Sequence, residues 1–291
     1  PRLFAIASLH AWSVNVNARL SEGELATIRA HCTPRCVLYP AAHGEVIAGP
    51  IDPGSVPEPV RADGSQVAAL VYTTGTTGQP KGVMLTPANL LFVAATSSSL
   101  RGLQPSDHAC GVLPITHVYG LSSVMLGTLY AGACLHLAPR FSAEALLAHI
   151  RAGGLTILQG VPAMYARLLA LAGREQVASR LRFCYAGGSP LDPALKREAE
   201  RVFGLPLHNG YGLTESGPTV SQTRLDAPRN DTSVGQPIPG VEVRIDAGTG
   251  ELWVRGPNVM AGYYRDPVAT MAALHPGGWL ATGDVATVGA D

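Results

Sequence analysis

From residue 67 onward, short apolar runs alternate with amphipathic stretches, and Gly, Pro, Ser or Asp marks most of the boundaries. The runs VAALVY (67–72), ACGVLPIT (109–116), ACLHLAP (133–139), LTILQG (155–160), LRFCYAG (181–187) and PLHNGYG (206–212) read as buried strands. Between them lie helical patterns with start and stop signals. Thr86-Pro87 caps and opens a helix through ANLLFVAA; GLSSVMLGTLYAG (120–132) follows the second run. Ser142 caps AEALLAHIRAG, PAMYARLLALAG starts at Pro162, and a charged amphipathic helix starts at Asp192-Pro193 and ends at Gly204. Strand–helix alternation with apolar strands predicts an α/β fold whose mostly parallel sheet is covered by helices on both faces.

The flanks differ in texture. Upstream, Ser21 and Glu24 form a capping box for a helix over about 22–31, VLYP reads as a short strand, and AGPIDPGSVPEPV as a Pro/Gly loop. After about residue 235, VEVRI, the turn DAGTG and ELWVRG alternate with period two and predict a β-hairpin. We therefore expect residues 1–234 to form an α/β part and 235–291 a smaller β-rich part of one domain.

Composition narrows the function. Charged residues make up 14% of the 291, and 21 basic side chains cancel 21 acidic ones, so no global positive field recruits nucleic acid. The apolar stretch at 120–135 is too short and too rich in Gly and Ser to span a bilayer. No signal peptide opens the chain. The five cysteines are odd in number and lack a CxxC pair; Cys32 and Cys36 could share a helical face, but nothing completes a zinc site around them. Free thiols in a reducing cytoplasm are the expectation.

The chemistry gathers after the strands. TTGTTGQPKG (73–82) packs four threonines, three glycines and one lysine behind the first buried run. Glycines let the main chain approach a phosphate, hydroxyls and N–H groups donate to it, and Lys81 adds charge. The Walker A pattern requires Gly-Lys-Ser/Thr and is absent, since Pro80 precedes Lys81 and Gly82 follows. We expect this loop to run from a strand into a helix. Downstream, YAGGSPL (185–191), NGYGLTE (209–215), GELWVRGP leading to Gly262-Tyr263-Tyr264, and Thr282-Gly283-Asp284 follow in order.

Together these motifs resemble the superfamily of adenylate-forming enzymes: acyl- and aryl-CoA synthetases, peptide-synthetase adenylation domains and firefly-type luciferases. The likeness runs along nearly the whole chain, with TTGTTGQPKG and YGLTE its most specific parts. It implies the large N-terminal domain of that fold and an AMP-forming acid–thiol ligase. The loop Thr73, Thr74, Gly75, Thr76, Thr77 and Gly78, with Lys81, would cradle the β- and γ-phosphates of ATP. Tyr211 would stack on adenine, in a neighbourhood of Gly188, Ser189, Pro190, Asn209, Gly210 and Gly212. Thr214 would bond the α-phosphate, Glu215 would hold Mg²⁺, and Asp284 would accept from the ribose hydroxyls. The segment LPITHVYG (113–120) resembles the lining of the acyl pocket, which would involve His117, Val118, Gly120, Gly187, Gly188 and Gly212, with His117 counted among the catalytic residues beside Lys81, Thr214 and Glu215.

The resemblance also frames the substrate. Amino-acid-activating relatives carry an aspartate near 109–125; none occurs there, and an ammonium buried without a partner is costly. The pocket candidates in 113–124, 158–164 and 185–189 hold no Lys or Arg, so a neutral-tailed fatty or aromatic acid is expected. Coenzyme A would accept the acyl group; a carrier-protein thiol, or a non-catalytic nucleotide- or acyl-binding role, are the alternatives. Oligomeric state leaves no trace in the sequence. Family members carry a mobile C-terminal domain after the Thr-Gly-Asp motif, so we expect the 291 residues to be cut from a longer parent and to adenylate weakly alone.

Overall fold

The computed structural model describes residues 2–9, 11–17, 19–40, 46–48, 66–74 and 80–289. Its centre is a seven-stranded sheet. Strands Leu207–Tyr211, Phe183–Ala186, Ile157–Gly160, His108–Gly111 and Cys134–Leu137 run parallel in that spatial order; Ser221–Gln222 extends the Leu207 edge antiparallel, and Gln236–Pro237 pairs antiparallel with it in turn. The crossovers holding Ala143–Arg151, Pro162–Ala172 and Pro193–Phe203 all step toward the Leu207 edge, whereas the one holding Tyr119–Tyr130 steps away. Right-handed crossovers therefore place three helices on one face and the fourth on the other. The two-sided cover expected from the apolar strands is present. Its core includes Ile157, Leu158, Phe183 and Cys184 against Leu146, Ile150, Leu168 and Val202.

The capping logic holds locally. Ser21 and Glu24 bond reciprocally at the start of Glu22–Cys32, as do Thr86 and Asn89 at the start of Pro87–Leu100. Asp192 Oδ1 accepts from the N–H groups of Ala194 and Leu195 at 2.8 and 2.9 Å. Asn89 does a second job: its Nδ2 donates to the carbonyls of Pro257 and Val259 at 2.7 and 2.9 Å, pinning the helix to the chain beyond residue 235.

Two four-stranded sheets complete the frame, beside a two-stranded one of Leu38–Pro40 and Val46–Ala48. Glu242–Ile245 and Glu251–Arg255 form the expected hairpin, joined by Trp279–Val285 and Leu274–His275 into a four-stranded antiparallel sheet. The other is mixed: Ser13–Val14 lies parallel to Ala69–Thr74, which pairs antiparallel with Pro80–Leu85, and Gly262–Tyr263 closes the edge. The first buried run thus belongs to a different sheet from the other five. Its phosphate-loop motif connects two antiparallel strands and does not run into a helix. The strand Pro80–Leu85 intervenes, because Val83 and Leu85 alternate inward and pair with Val71 and Ala69 in a second core. No helix among the described residues is long and apolar enough to cross a membrane.

Burial also sets a pH dependence. His208 is buried on its strand beside Thr223, and its proton affinity is pushed down to about 4, chiefly by burial, with Lys196 adding and Glu200 opposing. The unfolded imidazole protonates near its ordinary 6.5. Between these values the unfolded state binds the extra proton, so native stability falls as pH drops from about 6.5 toward 4. Urea midpoints across that range should fall more steeply for the wild type than for His208→Gln.

Candidate functional site

A cavity of about 520 Å³ opens where the three larger sheets approach one another. Two parallel strands, paired Asn209 to Ala186, end at its wall. Ligand crevices of open α/β sheets lie beyond such carboxyl ends. The turn after Ala186 brings Gly187 and Gly188 there, and the turn at Tyr211 brings Gly210, Gly212, Thr214 and Glu215. His117 and Val118 enter from the start of the covering helix on the opposite face. Thr73 and Lys81 sit directly across from one another on the antiparallel hairpin, and both line the cavity. Asp284 arrives from the antiparallel sheet. Thr74 lies at the hairpin's end, while Gly75, Thr76, Thr77 and Gly78 fall outside the described residues.

Four expected residues are not on the wall. Asn209 is buried, with Nδ2 bonded to the carbonyl of Thr232 at 2.9 Å and its N–H to Thr223 Oγ1. Ser189 and Pro190 are exposed past the turn. Gly120 is buried where a Cβ would come within 2.3 Å of the Pro114 carbonyl oxygen.

Local bonds fix the side chains that do converge. The Tyr211 hydroxyl donates to Asp284 Oδ2 at 2.6 Å. Burial, seconded by that carboxylate, raises the proton affinity of Tyr211 and keeps the hydroxyl a donor. Asp284 is placed by its own N–H on Thr282 Oγ1 at 3.1 Å, after Gly283 at φ 77°. Glu215 belongs to the single turn Thr214–Ser216, and its Oε1 accepts from the Tyr263 hydroxyl at 2.8 Å. The ammonium of Lys81 lies 5.1 Å from the centre of the same Tyr263 ring, close enough for a cation–π contact. His117 Nδ1 accepts the N–H of Tyr119 at 3.2 Å. The residue is exposed, yet the protein packed about it lowers its proton affinity, favouring the neutral imidazole.

The wall thus juxtaposes a lysine, a carboxylate with one oxygen engaged, a buried threonine and an aromatic–aspartate pair drawn from distant parts of the chain. The AMP-binding enzyme family model matches residues 2–264.

The chain belongs to the AMP-binding enzyme family.

Its relatives include 4-coumarate–CoA ligase 2 of Oryza sativa subsp. japonica, 35% identical over 269 residues, covering 82% of this chain and 46% of that protein. A 2-succinylbenzoate–CoA ligase of Bacillus cereus is 31% identical over 303 residues, covering 97% and 62%. The crystal structure of ATP-bound MatB from Rhodopseudomonas palustris superposes with a TM-score of 0.85 at 26% identity, over 97% of this chain and 62% of that one. This AMP-binding chain thus spans about half to three-fifths of the length of these relatives, and its fold is that of the adenylate-forming enzymes.

Three lining residues of this family member, Arg101, Thr219 and Ser221, lie outside the segments that the sequence singles out, whereas Tyr119, Tyr185 and Tyr263 lie within them without an assigned role. Arg101 is the most consequential. The neutral-tail expectation rested on segments without a cation, and Arg101 comes from outside them. The one available signal was an arginine ending a 14-residue helix that carries no other charge. Beyond the Cys32–Cys36 spacing, the parallel register His108↔Cys134 gathers His108, Cys134 and His136 within 4.8 Å on an edge strand pair.

Proposed function

We infer that the cavity binds ATP and a carboxylic acid side by side, and that the whole protein joins them into an acyl-adenylate, releases pyrophosphate and passes the acyl group to coenzyme A. What supports this is one observation: Lys81, Thr214, Glu215, Tyr211 and Asp284, scattered along the sequence, share one wall. A CoA-ligase role also accords with the relatives above. A carrier-protein thiol remains the alternative acceptor.

The chemistry explains the residue set. A carboxylate oxygen attacks the α-phosphorus, forming one O–P bond while the bond to the β-phosphate oxygen breaks. No proton moves and no side-chain nucleophile is needed. The difficulty is electrostatic, because like unit charges about 4 Å apart repel by roughly 4 kcal/mol at an effective dielectric near 20. Lys81 and the Thr214 hydroxyl are donors aimed at the phosphate side, and the loop 73–78 would add its N–H groups. The residues fit Mg²⁺: Glu215 offers a hard oxygen in the cavity, its Oε2 has no hydrogen bond among the described residues, and one carboxylate plus phosphate oxygens is a common Mg²⁺ set. When bound, the ion would neutralise phosphate charge. Tyr211 would hold adenine by stacking, with its hydroxyl steering Asp284 toward the ribose.

Differential thermal stabilisation tests the nucleotide half. ATP with Mg²⁺ at a hundred times its dissociation constant should stabilise the chain by about 2.7 kcal/mol, and GTP with Mg²⁺ by far less. Equal responses to both, or to neither, would refute an adenine site.

A further inference from the structure

Arg101 follows the helix Pro87–Leu100, and its guanidinium is built into the cavity wall with only 2% of the residue exposed. Nε donates to Gln222 Oε1 at 3.2 Å and Nη1 to Gln159 Oε1 at 2.5 Å, while the guanidinium carbon sits 4.1 Å from the centre of the Tyr185 ring. A guanidinium carries five N–H groups. The Tyr185 hydroxyl adjoins the guanidinium, and no carboxylate among the described residues forms an ion pair with Arg101. Two amide dipoles and a ring face orient the cation without neutralising it, and a buried charge left unneutralised is costly.

The same region holds further donors that lack acceptors. The hydroxyls of Tyr119, Tyr185 and Ser221 and the Nε2 of Gln159 are all buried without a hydrogen-bond partner. Buried polar atoms are ordinarily satisfied, so three hydroxyls without partners on the wall that holds a cation without a carboxylate describe the complement of an oxyanion. Burial raises the proton affinity of both tyrosines, which keeps them protonated and able to donate. Tyr119, Tyr185 and Ser221 line the same cavity as Arg101.

We propose that Arg101, with Tyr119, Tyr185 and Ser221, forms an oxyanion subsite for a second carboxylate, so that the acid activated in this cavity is a dicarboxylic acid. This rests on the reading that the cavity takes an acid beside ATP. One carboxylate reacts at the Lys81 and Thr214 side, and the other replaces the missing acceptors at Arg101. A neutral alkyl or aryl tail would instead leave the guanidinium and the three hydroxyls unmatched.

Calorimetric titration tests this with acids matched in size: glutarate against pentanoate, adipate against hexanoate, and terephthalate against 4-methylbenzoate. Each is measured with and without ATP and Mg²⁺, so that a failed nucleotide response and a failed subsite are told apart. In at least one pair the diacid should bind about tenfold or more tighter, the scale of a charge-assisted hydrogen bond. Arg101→Met should reduce that ratio below about threefold. Tyr185→Phe removes a hydroxyl that has no hydrogen-bond partner, so it should fold even if Arg101→Met does not, and it should lower the ratio by about threefold. The assignment is overturned if every wild-type pair binds within threefold, if the preference survives Arg101→Met, or if no acid binds while ATP with Mg²⁺ does.

Discussion

Glu215→Ala should slow acid-dependent pyrophosphate release in the whole protein by a few hundredfold. The carboxylate lines the cavity, and Tyr263 holds one of its oxygens at 2.8 Å, so its direction is set before any ligand arrives. Losing a prepositioned charge at developing phosphate charge costs roughly 3–4 kcal/mol of barrier, which sets that scale. Alanine also strands the Tyr263 hydroxyl, mixing a structural effect into the result. Glu215→Gln separates the two. It keeps an oxygen for Tyr263 and should melt within about 2 °C of the wild type, yet lose nearly as much rate because the charge is gone. Rates measured against Mg²⁺ concentration provide the check. A loss below about threefold in both variants would mean that Mg²⁺ is held elsewhere.

Gly212→Ala should unfold the site's rim. A Cβ at Gly212 would sit 1.5 Å from the carbonyl oxygen of Pro218 and 3.1 Å from the Cα of Thr219. The obstacle is main chain, and that chain is tied back by the N–H of Val220 on the Tyr211 carbonyl at 2.9 Å, so no rotamer change relieves it. Overpacking of this kind costs about 3 kcal/mol, near the top of its usual range. A melting temperature lower by roughly 6–12 °C follows, together with loss of stabilisation by ATP. Gly23→Ala is the control, since nothing lies within 4 Å of the added methyl and the position is helical. That variant should melt at or slightly above the wild type. A Gly212→Ala protein that melts like the control would show that the main chain at 212 and 218 can separate.

What the sequence determined alone was everything governed by near neighbours. Ser21, Thr86, Ser142 and Asp192 announce their helices because a cap bonds the main chain two or three residues on. The hairpin at 242–255 is legible from its alternation and its turn, in which Asp246 Oδ1 accepts from the N–H groups of Gly248 and Thr249. Motifs following buried strands were readable as site segments, since strand ends in such folds face a common crevice.

Tertiary structure decided which members of those segments reach the crevice. Asn209 and Ser189 share motifs with Tyr211 and Gly188, but Asn209 is drawn into buried bonds with Thr223 and the Thr232 carbonyl, and Ser189 lies exposed past the turn. Thr73 meets Lys81 through antiparallel register, which an expected strand–loop–helix unit could not supply. Arg101 looks from its neighbours like a surface residue at a helix end. It becomes a buried cation only because Gln159 and Gln222, far along the chain, meet it across the sheet. Propensity and capping act over a few residues, whereas burial and charge pairing are set by whichever distant strands the packing makes adjacent.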